Sequence, residues 1–232
     1  MVSLRILDEF DPTELVWWAR AKSLVELSSA PPEGVYLSLD AGGLKLMDPA
    51  FPTPFQLQPD DVFQHAQPGS LLHRATGVGG ASPVGLSVLD ACAGFGIDGL
   101  ALARAAQVTL IERQPLVFIM LLEFAARMGA SVDIRHGDGL LAFEDEAAWD
   151  VIYLDPMFPQ RSKKALPSRP MQHLRDLSAG AEHMVLDEVL TRAIASANDR
   201  VVLKRRLRDP VIDRPSYSLA GKTIRFDVYR KI

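Results

Sequence analysis

The sequence predicts an α/β fold: a mostly parallel sheet covered by helices on both faces, carrying a small N-terminal appendage. Three observations predict it. From residue 85 onward, short apolar runs alternate with helix-period segments, the pattern of strand–helix–strand units. The first of these runs ends in a Gly-rich turn that opens a helix. The last, residues 223–229, alternates apolar and polar side chains, as an antiparallel strand with one dry face does.

Within residues 81–232, strands are expected at 86–90, 108–111, 132–135, 149–154, 201–203 and 223–229. The helix after the first strand has Ile97, Leu100, Ala101 and Ala105 along one face. Pro115 opens a largely buried helix that Gly129 closes. Residues 181–197 form an amphipathic helix with Val185, Leu186, Val189, Ala193 and Ile194 turned inward.

Residues 1–80 read differently. Asp11-Pro12-Thr13-Glu14 has the chemistry of a helix start, and the spacing predicts a helix from there to about residue 27. Residues 35–39 and 44–47 flank Asp40-Ala41-Gly42-Gly43, a hairpin signal. Residues 48–83 are rich in Pro and Gly without sustained periodicity, and read as a connector or substrate-facing loop.

With 232 residues, 48% of them hydrophobic, the chain can form one substantial core plus a small extra unit. Its single cysteine, Cys92, excludes a disulfide framework and a paired-cysteine metal site, and is expected to serve packing. Asp8, Glu9 and Asp11 interrupt any secretory pattern at the start. The longest apolar run, residues 116–122, is far too short for a membrane span. A cytoplasmic protein with no membrane partner is expected. The net charge of −4 hides two basic segments: ten Lys/Arg against three Asp over residues 200–232, and five basic residues with no acid over 161–175. They are either a one-sided footprint for a polyanion or solvated surface.

Acids recur at the expected strand ends. Asp90 precedes the turn containing Gly94, Gly96 and Gly99, Glu112 lies 22 residues later, and Asp138-Gly139 follows the third strand. This set suits a ligand with a ribose, an adenine and a cationic aminoacyl tail, such as S-adenosylmethionine (SAM). The glycines also fit a nicotinamide-dinucleotide pattern, but Asp90 and Asp98 would repel its pyrophosphate. The fourth strand runs into Asp155-Pro156-Met157-Phe158-Pro159. An exocyclic amine on a heteroaromatic base is a poor nucleophile. The Asp155 carboxylate and Pro156 carbonyl can each accept one of its N–H groups, and Phe158 can stack on the base. Methyl transfer is then an in-line displacement needing alignment rather than a metal. Arg161, Lys163 and Lys164 follow this cluster, and Lys204 and Arg205 follow the fifth strand, where they are expected to hold RNA phosphates.

These residues resemble a known family. Asp90-Ala91-x-Ala93-Gly94-x-Gly96-x-Asp98, Glu112-Arg113-x-Pro115, the run from Val151 through Pro159 with Lys164-Ala165-Leu166, and the segments 200–205 and 221–229 are similar to ribosomal RNA small subunit methyltransferase J. The resemblance implies a Rossmann-like class I SAM-dependent methyltransferase fold with a seven-stranded sheet. It also implies transfer of a methyl group to the exocyclic N2 of a guanine in 16S ribosomal RNA. It places cofactor contacts on Ile97, Asp98, Glu112, Arg113, Asp138, Gly139 and Asp155, with Ile97 standing where the family usually has Arg. The alternatives are an N-methyltransferase acting on another RNA or a small amine, and a SAM-binding module without turnover.

Overall fold

The N-terminal residues fold into a four-stranded sheet of order β2-β1-β3-β4, comprising β1 (Val2–Ile6), β2 (Val25–Ser28), β3 (Tyr36–Asp40) and β4 (Gly43–Met47). The computed structural model describes residues 1–7, 10–79, 85–139, 141–144, 149–156, 172–174, 177 and 186–231. The expected hairpin is β3–β4, and its turn is held by the Gly42 N–H donating to the Asp40 carboxylate at 2.8 Å. Leu4, Leu37, Leu39, Leu44 and Leu46 are all fully buried, so this sheet has a dry face of its own.

The helix expected over residues 11–27 does not form as one element. Asp11 does cap a turn, accepting from the Thr13 N–H at 2.8 Å, but the turn is a 3-10 segment ending at Glu14. A four-residue helix α1 (Trp18–Ala21) and a second 3-10 turn follow, and residues 25–28 then extend as β2, parallel to β1. Strand β1 is the reason. Its edge gives Val25, Glu26 and Leu27 inter-strand hydrogen bonds, and this non-local pairing outweighs a modest local helix preference.

The connector contains two short helices, α2 (Pro59–Phe63) and α3 (Leu71–Thr76). They span five and six residues, too few for a helical period to show in the sequence. Local chemistry defines them instead: a Gln58/Asp61 capping box for α2, and for α3 a Ser70 cap and Gly77 in the left-handed conformation. Helix α2 lies against the helix Ile97–Leu102, and α3 against strands of a second, larger sheet.

That larger sheet has seven strands among the described residues, in the order β10-β11-β9-β8-β5-β6-β7. They are β5 (Ser87–Asp90), β6 (Gln107–Glu112), β7 (Asp133–His136), β8 (Trp149–Leu154), β9 (Ala197–Arg206), β10 (Tyr217–Ala220) and β11 (Ile224–Arg230). Strands β7, β6, β5, β8 and β9 are parallel, and β11 runs antiparallel between β9 and β10. The chain leaves β5 toward β6 and β7, then returns to β8 on the other side. The β5/β8 boundary is therefore the topological switch point, where a doubly wound sheet opens a crevice.

Helices α4 (Ile97–Leu102) and α5 (Pro115–Arg127) share one core with the small sheet, and α6 (Leu186–Ser196) closes a second on the opposite face. Helix α5 packs against β6 and β7 on one side and against β4 on the other. Double coverage explains why residues 116–125 are buried without interruption and why the segment carries no polar stripe. Its one buried acid, Glu123, is paired with Arg127 at 2.9 Å.

Candidate active site

At the carboxyl ends of β5, β6 and β7 the backbone is drawn together with almost no side chain in between. Gly94 and Gly96 adopt left-handed φ angles of 55° and 77°, open to glycine at little cost. A Cβ on Gly96 would stand 2.3 Å from Leu121 Cδ1. In the loop after β7, a Cβ on Gly139 would stand 2.0 Å from the Ala91 carbonyl oxygen, so these two loops touch through bare main chain. Glu112, at the end of β6, accepts the Gly94 N–H at 2.9 Å and the Gln114 N–H at 2.7 Å. Burial raises its carboxyl above the ordinary value, with the hydrogen bonds opposing. Half-buried Asp138 and exposed Arg113 lie on the same rim, and half-buried Ile97 begins α4.

This cradle fits SAM. Glycine backbone leaves room for a flat nucleoside, while Glu112 retains lone pairs beyond those its two N–H donors use. Glu112, Asp138, Gly139, Gly94 and Gly96 are the residues that would hold it. Asp90 is placed differently from its neighbours. It is buried under the turn, accepts the Cys92 N–H at 3.3 Å, and lies so close to Gly99 that a Cβ there would be 2.9 Å from Asp90 Oδ2. Burial, then the charges of Asp98 and Asp155, push its carboxyl well above the usual range.

A second group forms where β8 and β9 end. Asp155 leaves β8, with half-buried Pro156 next to it. Lys204 Nζ on β9 reaches Asp155 Oδ2 at 2.8 Å and Asp98 Oδ2 at 2.6 Å, bridging two carboxylates. Asp98 also receives the Tyr153 hydroxyl at 2.6 Å and contacts His65 Nδ1 at 2.6 Å. Three donors converge on Asp98, whereas Lys204 is the one side-chain donor to Asp155 among the described residues. The asymmetry decides their protonation. Burial would raise Asp98, but Lys204 and His65 outweigh it and hold the carboxyl below its ordinary value. For Asp155, burial together with Asp98 prevails over Lys204, and the carboxyl is raised. The Asp98 hydrogen bond raises His65 despite its partial burial. Burial would lower Lys204, but Asp155 and Asp98 raise it, so it stays charged. Cys92 sits beneath the site, its thiol pushed up by burial and by Asp90, which fits packing rather than nucleophilic chemistry.

Three of the expected site side chains are engaged within the protein. Lys204 does not project toward solvent phosphates, because its ammonium is held by two carboxylates. Arg205 is 7% exposed and donates to the Pro210 carbonyl at 3.3 Å. Strand β9 lies inside the sheet, and helices cover its two faces, α3 on one and α6 on the other. The side chain of Asp98 is likewise engaged by protein donors. Phe158, Arg161, Lys163 and Lys164 lie outside the described residues. His65 and Tyr153 were not anticipated. A tyrosine in the wholly buried run Val151-Ile152-Tyr153-Leu154 needs a partner for its hydroxyl, and that need was the available signal. His65 had no spacing to betray it.

Further toward the N-terminal sheet, buried His173 stands 3.2 Å from Asp48, its ring 4.5 Å from Phe51 and 4.9 Å from Phe55. The neighbouring Leu174 side chain covers Gly94, where a Cβ would meet it at 3.4 Å. Residues 173 and 174 therefore touch both the chain just after β4 and the glycine turn.

Comparison with known proteins agrees with this geometry. A family model described as a SAM-dependent methyltransferase matches residues 63–231. Ribosomal RNA small subunit methyltransferase J of Halorhodospira halophila is 34% identical, over 94% of this chain and 90% of its own length. The protein of that name from Pseudomonas aeruginosa is 38% identical over 70% of this chain, and the match spans 66% of that relative's length. Among solved structures, a SAM-dependent methyltransferase from Neisseria gonorrhoeae superposes with a TM-score of 0.75 at 23% identity, covering 99% of this chain and 96% of that one. A Thermus thermophilus 16S rRNA N2 methyltransferase, solved with AdoMet and guanosine, shares the fold at a TM-score of 0.50 and 19% identity, covering 88% and 53%. The chain belongs to the ribosomal RNA small subunit methyltransferase J family of SAM-dependent methyltransferases.

Proposed function

We propose that this protein transfers a methyl group from SAM to the exocyclic N2 amine of a guanine in 16S ribosomal RNA. The observation that carries the reading is the position of Asp155-Pro156. They stand at the switch point, where the Ala91 N–H bonds the Tyr153 carbonyl at 3.1 Å, so the acceptor strand adjoins the glycine turn. Bound SAM supplies an electrophilic methyl on a sulfonium. The chain's own residues supply alignment. The Asp155 carboxylate and the Pro156 carbonyl each accept an N–H of the amine, which turns its lone pair out of the base plane. Burial raises the Asp155 carboxyl, and that makes it a better acceptor for the proton the nitrogen sheds. Exposed Arg208, Arg214 and Lys222 extend the basic surface for phosphates, taking the role expected of Lys204 and Arg205. Assembly of ribosomal subunits places this activity in the cytoplasm. No helix among the described residues is long and apolar enough to cross a membrane.

The test uses 16S rRNA from cells lacking the gene, labelled methyl donor, and mapping of the product. The wild type is expected to label guanine N2. Asp155→Asn should lower kcat by about 100-fold or more while SAM binding stays within a few-fold. Label elsewhere than guanine, or full activity in Asp155→Asn, would overturn the reading.

A further inference from the structure

Resting on that reading, we propose that Lys204, braced by Asp98 and His65, is a positioning residue for methyl transfer that fixes the carboxylate gripping the acceptor amine. The four groups form one line of contacts, from His65 through Asp98 and Lys204 to Asp155, with steps of 2.6, 2.6 and 2.8 Å. They come from four places in the chain: the end of the α2 connector, α4, β9 and the end of β8. Tyr153 closes the line from below by donating to Asp98. Asp98 keeps two donors if Lys204 is removed. Asp155 loses its one side-chain donor among the described residues, and it then faces Asp98 with no cation between them. Its carboxylate is freed to rotate or to take a proton, and either outcome spoils the grip on the amine.

Charge matching gives His65 its part. Protonated His65 and Lys204 balance Asp98 and Asp155, two against two. When His65 loses its proton, Asp98 leans on Lys204 alone and draws the ammonium from Asp155. The titratable groups facing this line are Tyr153, the buried Asp90 and Cys92, each raised chiefly by burial. A phosphate-binding lysine would have an open head group, and this one is shut between two carboxylates.

The experiment compares Lys204→Met, Lys204→Arg and His65→Gln with wild type, measuring kcat, KM for SAM and RNA, the pH profile and the salt dependence of RNA binding. Lys204→Met is expected to lower kcat about 100-fold with both KM values within about threefold, and Lys204→Arg to recover about tenfold of that loss. The slope of log K against log salt should not change. His65→Gln should lower kcat about threefold and remove the fall in rate that wild type shows as pH rises through the His65 titration. A kcat within about threefold of wild type in Lys204→Met would overturn the inference. So would a salt slope reduced by about 0.9 with raised KM for RNA, the mark of a lost phosphate contact. Should Lys204→Met fail to fold, unchanged kcat and pH profile in both other variants would overturn it equally. An inactive wild type would refute the reading of function instead. The inference would then be decided by carboxyl carbon NMR, in which the Asp155 titration must move upward in Lys204→Met or His65→Gln, and an unmoved titration in both would overturn it.

Discussion

The Arg225–Asp227 pair on β11, which is buried, and the Lys204 group at the ends of β8 and β9, which is partly open, are both charged, and they are finished differently. Arg225 donates to both oxygens of Asp227 at 2.8 to 3.0 Å, and to the carbonyls of Leu207, Asp209 and Pro210 at 3.0, 2.7 and 3.3 Å. Asp227 also takes the Ser218 hydroxyl at 2.6 Å. One cation meets one anion there, and the guanidinium is surrounded by acceptors. At the strand ends, Asp98 and Asp155 share Lys204, and His65, raised above its ordinary value by its bond to Asp98, is the second cationic partner of Asp98. A closed cluster holds strands together. A cluster in which Asp155 has Lys204 as its one side-chain donor among the described residues keeps acceptor capacity for an amine with protons to donate.

The strongest way to break this comparison is Arg225→Met. It leaves Asp227 charged and fully buried, and should cost about 3–5 kcal/mol of stability in urea unfolding while kcat of the folded enzyme holds. Unchanged stability, or a selective loss of kcat, would show that the two clusters are not separate in role. Next in size is Gly139→Ala, whose methyl meets the Ala91 carbonyl. A cost of about 1–3 kcal/mol and weaker SAM binding by calorimetry are expected, because the two loops must part. SAM affinity equal to wild type would remove this contact from the cradle. The smallest effect concerns pH. His65 has a folded value raised above 6.5, so its contribution to stability is fully present below 6.5 and is lost as pH rises through the folded value. The melting temperatures of wild type and His65→Gln should therefore differ most in acid and converge in alkali. A constant gap would mean that His65 contributes packing alone.

Much of the larger sheet was legible because burial on both faces writes near-continuous apolar runs. Strand β8 was expected at residues 149–154 and lies there, and the glycine turn and Glu112 fall where strand-end logic put them. The N-terminal sheet was half legible. Its hairpin has a local turn signal, whereas β1 and β2 pair across about twenty intervening residues, and no local pattern encodes such a partner. Lys204 and Arg205 were legible as charge but not as direction. A basic pair after an apolar run looks like surface until its partners are known: two carboxylates for Lys204 and the Pro210 carbonyl for Arg205.

Strand β11 has a consequence for how the molecule comes together. It is the last strand in chain order, yet it is wedged between β9 and β10, and its Phe226 lies opposite Lys204 in the register. The strand that carries the lysine is thus fixed by a stretch of chain remote from the glycine turn, so the two halves of the site depend on different parts of the sequence.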